Sequence, residues 1–388
     1  MADSGSRSSS LWRPSRRQFL RTVGVAGLGG ALAACTSEEG GGGPGGGSQA
    51  TGEAPTTTFA EPATKLSGDL KILLWSHFVP SHDQWFRPFA QAWGKQVGVN
   101  VTVDHIDNAQ IPTRIAAEIQ AKQGHDVIQY IAPLSQFEPS VEDLKDITDE
   151  ATNRWGQQLE LCKLSSFNPA TGKFYAYSPG WVPDPGDYRR SLWEAVGLPN
   201  GPATWDDLLR GGTEIKASKG TQLGVGMSQE IDSNMAGRAL LWSFGASVQD
   251  ENEQVVINSP ETVAAVEFMT QLFKGSMTDE VFSWNAASNN QGLIAGKLSY
   301  ILNSISAWRT AQGTRPQVAD DISFVPALKG PKTALAAQHV MYNWIIPNMF
   351  ARAARGEVSA RQAVADAEAQ INPVFAKWRQ QGLVGGGG

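Results

Sequence analysis

The feature that most constrains the fold is an alternation of short apolar runs with amphipathic helical segments after residue 68. Residues 71–75 form an apolar run of strand length, and apolar side chains then recur at helical spacing across 86–97. A strand at 100–106, a helix at 111–119 and a strand at 127–131 are predicted to continue this order. Because parallel strands need a crossover connection, usually a helix, the order predicts a parallel sheet covered by helices.

The second half of the chain repeats the alternation. Short apolar runs predict strands at 221–227, 298–302 and 322–326. Residues that favour the first positions of a helix precede further amphipathic segments, namely Thr204, Ser259 with Pro260, and Ser359 with Gln362 three residues later. The predicted fold class is therefore α/β, in two lobes.

Charge, hydropathy and cysteine content exclude several classes of protein. The 388 residues carry a formal net charge of −6, but the first 34 contain five arginines against one aspartate, so the remainder sums to −10. A nucleic-acid-binding protein needs a basic surface, which this balance argues against. The longest uncharged apolar run, 22–34, is too short to span a bilayer. Two cysteines cannot build a disulfide scaffold or a four-ligand zinc site.

The first 34 residues have the organisation of an export signal. Arg16 and Arg17 precede Phe19-Leu20, an apolar stretch of small residues follows, and Leu32-Ala33-Ala34-Cys35 ends it. The arginine pair resembles that of a twin-arginine leader, which exports proteins already folded in the cytoplasm. The last four residues resemble a bacterial lipobox, in which Cys35 is acylated after residues 1–34 are removed. We therefore expect Cys35 to anchor the protein at the outer face of the cytoplasmic membrane, in the cell envelope.

A linker is predicted between the anchor and the folded region. Residues 36–66 contain eight glycines and three prolines among mostly small polar residues. Such a segment buries too little apolar surface to offset the entropy of ordering it. Residues 35–67 are therefore predicted to be the lipidated cysteine and a flexible linker.

Several short motifs follow one another in a fixed order through residues 68–348. They are 71–75, Gly124-His125-Asp126-Val127, 172–179, Tyr188 with 193–199, 204–208, 240–245, 258–262, 290–292, Gly296-Lys297 and Asn303. No single motif identifies a protein family, but this order of motifs behind a lipobox is characteristic of one. On these motifs the chain resembles the extracellular solute-binding proteins of bacterial ABC importers, in particular the carbohydrate-binding branch, family 1.

The resemblance implies a two-lobe periplasmic-binding-protein-like fold of type II, with a hinge and a central cleft. Lobe 1 would comprise residues 68–177 with 304–338, and lobe 2 residues 178–303 with 339–384. Family members carry a further helical stretch after a segment like 345–347, so lobe 2 is predicted to be shortened near 347–348. We expect this to weaken binding and to expose apolar surface that the absent helices would cover.

The resemblance also implies a function in solute uptake. The protein would capture a sugar or an oligosaccharide in the cleft and deliver it to the permease subunits, as a monomer that requires no cofactor or metal and catalyses no reaction. Two alternatives stay open: binding of another solute such as a polyamine, which the net charge allows, and a secreted glycoside hydrolase or lyase. The sequence has no G-x-S-x-G or H-E-x-x-H motif. The adjacent carboxylates Asp206-Asp207 are predicted to begin a helix, and Asp320-Asp321 to lie in a solvated turn.

Candidate ligand-binding residues follow from the chemistry of sugars. An aromatic ring covers the C–H face of a sugar, while Asp, Asn, Gln and His hydrogen-bond to the hydroxyls at its rim. Ligands of open α/β sheets bind at the carboxyl ends of the strands. The aromatic candidates near predicted element ends are Trp75, Tyr130, Trp181, Trp242, Trp284 and Trp308, with Tyr130 ranked first because relatives often have a stacking aromatic there. The polar candidates are His77, Asn234, Asn285, Asn303 and Gln338.

Overall fold

A computed structural model describes residues 59–332 and 344–382. The predicted export signal with Arg16 and Arg17, the anchor Cys35, most of the linker and the candidate Gln338 lie outside these residues. Contacts between α-carbons divide the chain into two compact units. The first comprises the described residues up to Asp107 with Ala117–Gln129, and the second comprises Asn108–Ala116 with the described residues from Tyr130 onward. None of the helices in the described ranges is long and apolar enough to cross a membrane.

The first unit contains a three-stranded parallel sheet. Its strands are β1 (Asp69–Trp75), β2 (Asn100–Ile106) and β3 (Val127–Gln129), in the order β2-β1-β3. Ile72 pairs with Val103 on one side and with Val127 on the other. The predicted parallel sheet is therefore confirmed, although β3 ends two residues earlier than predicted.

Helix α1 (Pro80–Val97) connects β1 to β2 and covers the sheet. The sequence places Pro80 at its first turn, where a missing N–H is harmless, and the helix continues through Pro88. It ends at Gly98, whose φ of 83° is a left-handed conformation that glycine adopts without strain. Its buried face packs against Val101 and its neighbours on β2.

Residues 59–67, the end of the predicted linker, have no regular secondary structure but contact α1. The ring of Phe59 meets that of Phe89 edge-on with centroids 5.2 Å apart. The side chain of Gln96 donates a hydrogen bond to the carbonyl oxygen of Phe59 at 2.8 Å. These contacts hold the end of this segment against the helix.

The second unit is built on a mixed four-stranded sheet. Its strands are β6 (Gly186–Arg189), β7 (Gln222–Gly224), β8 (Leu298–Leu302) and β9 (Ile322–Val325), in the order β7-β8-β6-β9. β7 and β8 are parallel, whereas β6 is antiparallel to both β8 and β9. The other three strands were predicted from their apolar runs, but β6 was not. A separate short hairpin is formed by β4 (Phe167–Asn168) and β5 (Lys173–Phe174).

The helices from α2 onward complete the described structure. α2 (Ile111–Ala121) is divided between the two units. The others are α3 (Lys145–Trp155), α4 (Glu160–Ser166), α5 (Arg190–Glu194), α6 (Trp205–Lys219), α7 (Ile231–Ser243), α8 (Pro260–Ser276), α9 (Ser288–Ile294), α10 (Ser306–Thr314), α11 (Pro316–Ala319), α12 (Ile345–Ala354) and α13 (Ala360–Gln380).

Local sequence signals set where three of these helices begin. Thr204 and Asp207 form a reciprocal capping box at the start of α6, and Ser259 accepts the backbone N–H of Thr262 at the start of α8. Ser359 accepts the backbone N–H of Gln362 before α13, but the Gln362 side chain donates to Asp366 instead of returning to the cap. The three predicted helix starts are confirmed.

The junction predicted to be shortened lies within α12. This helix continues through Pro347 and Asn348, and Ile346 and Phe350 are buried against α7, α8 and α13. The prediction of exposed apolar surface is therefore wrong for this helix, because neighbouring helices cover its apolar face.

Candidate functional site

The candidate Asn303 lies at the carboxyl end of β8, next to polar side chains from other elements. Asn303 directly follows β8, and its side-chain nitrogen donates to Asn290 Oδ1 at 2.5 Å and to Ser306 Oγ at 3.0 Å. Asn290 lies on α9, and Ser306 begins α10. The backbone N–H of Asn303 donates to the carbonyl oxygen of Pro185, just before β6. We call this region, together with the start of α7, the polar edge of the sheet.

The start of α7 contributes a buried carboxylate to the polar edge. Glu230 is the N-cap, and it accepts the backbone N–H groups of Asp232 at 2.7 Å and Ser233 at 2.5 Å. The hydroxyl of Ser233 also donates to it. Helix N-termini favour negative charge because their first N–H groups lack partners within the helix. One turn later on the same helix, the candidate Asn234 is buried.

Three aspartates complete an acidic group, the carboxyl cluster, which consists of Asp184, Asp187, Glu230 and Asp232. Asp184 precedes β6 and Asp187 lies on it, while Asp232 occupies the first turn of α7. Asp232 accepts a hydrogen bond from the side chain of Asn289 at 2.8 Å. Asp184 and Asp232 are half-buried, whereas Asp187 and Glu230 are buried.

Burial is the main cause of the raised pKa values in the carboxyl cluster. It raises the pKa of Asp184 to about 6 and that of Glu230 to about 7, the latter despite the hydrogen bonds from Ser233 and Asp232. Burial, then repulsion from Asp184 and Asp232, raises the pKa of Asp187 to about 9. Burial, then the charges of Glu230 and Asp184, raises the pKa of Asp232 well above its ordinary value. Asp187 is therefore protonated at neutral pH.

Asp187 is the least satisfied member of the cluster. Its side chain is fully buried, with 0% of its surface exposed, and neither carboxyl oxygen has a hydrogen-bond partner among the described residues. Native proteins rarely leave a buried polar group unpaired, because the lost hydration is then not replaced.

One aromatic candidate lies beside the polar edge. The carbonyl oxygen of Trp284 accepts a hydrogen bond from the Ser228 hydroxyl at 2.8 Å, and the Trp284 ring closely approaches Gly226. A Cβ atom at Gly226 would also lie 2.7 Å from Glu230 Oε1. Glycine here allows the backbone after β7 to pass between the indole ring and the cluster. The structure thus brings Trp284 and Asn303 together with the polar edge.

Other predicted residues of the second unit lie elsewhere or serve local structure. Trp242 is near the last residue of α7, so about ten residues of helix, or ~15 Å, separate it from Asp232. Asn285 is exposed, and its side chain accepts the backbone N–H of Ala287 in the turn before α9. Trp308 packs edge-on against Phe324, with ring centroids 6.1 Å apart.

Two further aromatic candidates, Trp181 and Tyr130, are described by their position along the chain and by their exposure. Trp181 is exposed in the irregular segment before β6. Tyr130 directly follows β3, at the carboxyl end of that strand as predicted, and is half-buried.

In the first unit, the candidates Trp75 and His77 belong to a stack of rings at the carboxyl end of β1. The rings of Trp75 and His77 are 4.7 Å apart and inclined by 28°. His77 in turn stacks on His82 at 4.4 Å, and His82 on Phe86 at 5.8 Å. The first two rings were predicted as ligand-binding candidates, but His82 was not, because its position in α1 gave no signal.

Asp83 organises the histidines of this ring stack. Its carboxylate accepts the backbone N–H of His77 at 3.0 Å, and its Oδ1 lies 3.2 Å from His82 Nδ1 and 3.4 Å from His105 Nε2. His105 belongs to β2, the strand next to β1. The carboxylate therefore ties the start of α1 to two strand ends.

Burial keeps two of these histidines neutral at pH 7. It is the largest cause of the lowered pKa of His77, followed by repulsion from His82, and the attraction of Asp83 offsets only part of this. Burial is also the first cause of the lowered pKa of His105. The backbone N–H of Val79 donates to His77 Nδ1 at 2.9 Å, so that nitrogen acts as an acceptor. The neutral ring of His77 therefore extends the aromatic surface that begins at Trp75.

The carboxyl cluster was not predicted from the sequence. Glu230 and Asp232 stand between a short predicted strand and an apolar helix, which is a signal for a polar strand end that could have been used. Asp184 and Asp187 flank a Pro-Gly pair, which indicates a turn and gives no indication of burial. Asp320 is exposed, but the predicted solvated turn is wrong for Asp321, which is tied to Arg189 and Ser191.

The comparison with protein families gives a match over most of the chain. Residues 80–348 match the family described as bacterial extracellular solute-binding protein. A protein of Brucella abortus (strain 2308), described only as a binding protein, is 24% identical over 149 residues. That match covers 38% of this chain and 36% of the relative, so the chain spans about a third of the length of the curated relatives it matches.

Solved structures share the fold at low sequence identity. A solute-binding protein of Thermotoga lettingae bound with α-D-tagatose is 14% identical, with a TM-score of 0.65, and the match covers 79% of this chain and all of that one. Maltose-bound MalE3 of T. maritima is 20% identical with a TM-score of 0.60, covering 82% and 88%. A laminaribiose-bound sugar transporter protein of Arthrobacter chlorophenolicus is 17% identical with a TM-score of 0.55, covering 81% and 85%. The predicted fold class, α/β of the two-lobe solute-binding type, is confirmed.

Proposed function

The chain belongs to the family of bacterial extracellular solute-binding proteins, and from that premise we propose that it is the solute-binding component of an ABC importer. Its solute is a sugar or an oligosaccharide, which it delivers to permease subunits. Structural relatives bound to tagatose, maltose and laminaribiose support this substrate class. The family and these relatives are binding proteins, and the proposal contains no chemical step.

The observation that carries the proposal is the position of the polar edge. Side chains that hydrogen-bond hydroxyl groups lie at the carboxyl ends of β7 and β8, which is the edge where open α/β sheets bind ligands. Among them are Asn303 and Asp232, and the ring of Trp284 lies near Gly226 in the same region. A ring beside several polar groups suits a sugar, which has an apolar face and a hydroxyl rim.

The ring stack of the first unit offers a second surface of the same chemistry. Trp75 lies at the carboxyl end of β1, and its ring continues through His77 to His82. Among the described residues, the parallel strands of each unit therefore have an aromatic ring near their carboxyl ends. We propose that Trp75 and His77 contact the solute.

A ligand screen tests the proposed function. The purified mature protein would be examined by thermal shift against mono- and oligosaccharides, and hits would be confirmed by calorimetry. Ligand at about 100 times Kd stabilises a protein by about 2.7 kcal/mol, a shift that is readily measured. Absence of any stabilisation across the panel would overturn the proposed function.

Export and anchoring are part of the same proposal. Arg16 and Arg17 would direct the folded chain to twin-arginine export, and Cys35 would carry the lipid. Membership of an extracellular family supports an exported protein. We also propose the division into lobes at 68–177 with 304–338 and at 178–303 with 339–384, and a monomeric state.

A further inference from the structure

The segment that carries Trp284, between α8 and α9, is joined at two points to the residues that follow β7. The backbone N–H of Met227 donates a hydrogen bond to the carbonyl oxygen of Val281 at 2.9 Å. The hydroxyl of Ser228 donates to the carbonyl oxygen of Trp284 itself at 2.8 Å. The first bond uses backbone atoms only, whereas the second requires a side-chain donor at position 228.

Ser228 is itself held in place by the start of α7. Its backbone N–H donates to Ser233 Oγ at 3.1 Å, and its carbonyl oxygen accepts the backbone N–H of Glu230 at 2.9 Å. The hydroxyl of Ser233 donates in turn to the Glu230 carboxylate. A residue that is already buried and fixed on both sides loses little further conformational entropy when its side chain forms a hydrogen bond. Ser228 is therefore a rigid donor for Trp284.

The indole ring of Trp284 is confined as well as its carbonyl oxygen. A Cβ atom at Gly226 would lie 3.3 Å from Cε3 of the ring, so the backbone of Gly226 passes close to the indole. The ring also packs against two hydrophobic clusters, one around Leu223 and the other around Leu293, and stays half-buried. A half-buried ring keeps part of its surface open to a solute. The position of the backbone at residue 284 therefore decides where that open surface points.

We propose that Ser228 is a positioning residue for solute binding, which acts through Trp284. Its hydroxyl sets the backbone position of Trp284 and thereby the orientation of the indole ring at the polar edge. This inference rests on the proposed function, in which Trp284 lies at the solute site. The ring must lie flat against the C–H face of a sugar to bind it, so a small displacement of the ring lowers the affinity.

A double-mutant cycle tests the coupling between the two residues. Calorimetry on the purified mature protein would use tagatose, maltose and laminaribiose, each bound by a structural relative, and any further hit of the thermal-shift screen. Ser228→Ala should raise Kd about 3- to 10-fold, as expected for the loss of one hydrogen bond. In the Trp284→Ala background the same substitution should change Kd by less than about 2-fold, because the ring that it positions is absent.

Two further variants separate positioning from a general loss of structure. Ser228→Thr keeps the hydroxyl and should retain most of the affinity. Ser283→Ala is the matched control, because Ser283 directly precedes Trp284 but its hydroxyl donates to the carbonyl oxygen of Glu280, within its own segment, at 3.1 Å. This variant removes a neighbouring hydroxyl, leaves the bond from Ser228 intact and should not change Kd.

A second measurement reports the position of the ring without any solute. In protein labelled with ¹⁵N at tryptophan, the indole N–H signal of Trp284 is the signal that disappears in Trp284→Ala. It should shift or broaden in Ser228→Ala and keep its position in Ser283→Ala. An unchanged signal in Ser228→Ala would overturn the inference even if that variant bound sugar more weakly.

The possible outcomes separate this inference from the proposed function. If the protein binds a sugar and Ser228→Ala has the same effect on Kd with and without Trp284, the inference is overturned and the proposed function stands. An equal loss of affinity in Ser283→Ala would have the same meaning. Absence of binding to every sugar in the screen would overturn both, whatever the indole signal shows.

Discussion

The guanidinium of Arg189 donates a hydrogen bond through Nε to Oδ2 of Asp321 at 2.7 Å and thereby joins β6 to the residue that precedes β9. The backbone N–H and hydroxyl of Ser191 donate to the same carboxylate, each at 2.8 Å. Burial alone would raise the pKa of Asp321. The bonds from Ser191 and Arg189, with the arginine charge, outweigh it and hold the pKa below its usual value.

Asp321→Asn should therefore lower the free energy of unfolding at pH 7 by about 1–3 kcal/mol. A carboxyl whose pKa is depressed in the folded state contributes stability above its unfolded pKa, near 4, and loses it as pH falls through the folded value. Urea unfolding should show a clear difference from the parent protein at pH 7, and this difference should shrink as the pH is lowered below about 4. Asp320→Asn, at an exposed side chain, is the control. An equal loss in both variants would contradict the assignment.

Two half-buried histidines near Asp83 should make the first unit sensitive to acid. Because burial lowers the pKa of His77 and His105, the unfolded chain binds protons at a higher pH than the folded one. Stability should therefore fall as pH drops below about 6.5. His77→Phe keeps a ring in the stack but removes one titrating group, so its denaturation midpoint should fall less between pH 7.5 and 5. An unchanged pH profile in this variant would show that His77 does not contribute.

Removal of the ring beside the polar edge should weaken ligand binding. If the solute covers the ring, Trp284→Ala removes an apolar contact that contributes roughly 1.5–3 kcal/mol to the binding free energy. This corresponds to a loss of about 10- to 100-fold in affinity. Trp242→Ala deletes the same group at the other end of α7 and should change Kd little. Calorimetry with the best ligand from the screen gives both values. If Trp242→Ala raised Kd more than Trp284→Ala, the ligand site would not lie at the polar edge.

Anchoring is tested at Cys35. Cys35→Ala should release the folded protein from the membrane or leave the precursor uncleaved, because the acylated residue is absent. Fractionation and the mass of the mature chain report both effects. Normal processing together with membrane retention in this variant would contradict a lipid anchor at Cys35.

The export route is tested at the arginine pair. Conservative replacement of Arg16 and Arg17 by lysine keeps the charge of the leader but should block export of the folded precursor. The fraction of protein in the cell envelope is the measurement. Unaffected export would mean that another pathway carries the chain.

Elements with a local sequence signal were predictable, and those that depend on distant contacts were not. β1, α1 and β2 follow from apolar periodicity, and Thr204 and Ser259 cap helices as predicted because capping involves residues only a few positions apart. β6 was missed because its sequence, Gly-Asp-Tyr-Arg, has no apolar run; pairing on both sides makes it a central strand.

The same limit applies to the candidate site. Asn303 was found because it follows a recognisable strand, but nothing near Asp187 in sequence indicates that it is buried beside Asp232. The partners of Asp321 lie about 130 positions earlier in the chain. Burial and pairing of these carboxyls depend on how the sheet assembles, which spacing along the sequence does not reveal.

The central position of β6 has a consequence for the order of folding. Gly186 pairs with Leu302 on one side and with Val325 on the other, so the strand reaches the ribosome exit long before either neighbour. Both edges of β6 stay unpaired until at least 302 of the 388 residues have been synthesised, and loop closure over such separations slows folding. We therefore expect a late, rate-limiting closure of this sheet after synthesis. A route that transports only finished proteins would give the chain time for that step before it leaves the cytoplasm.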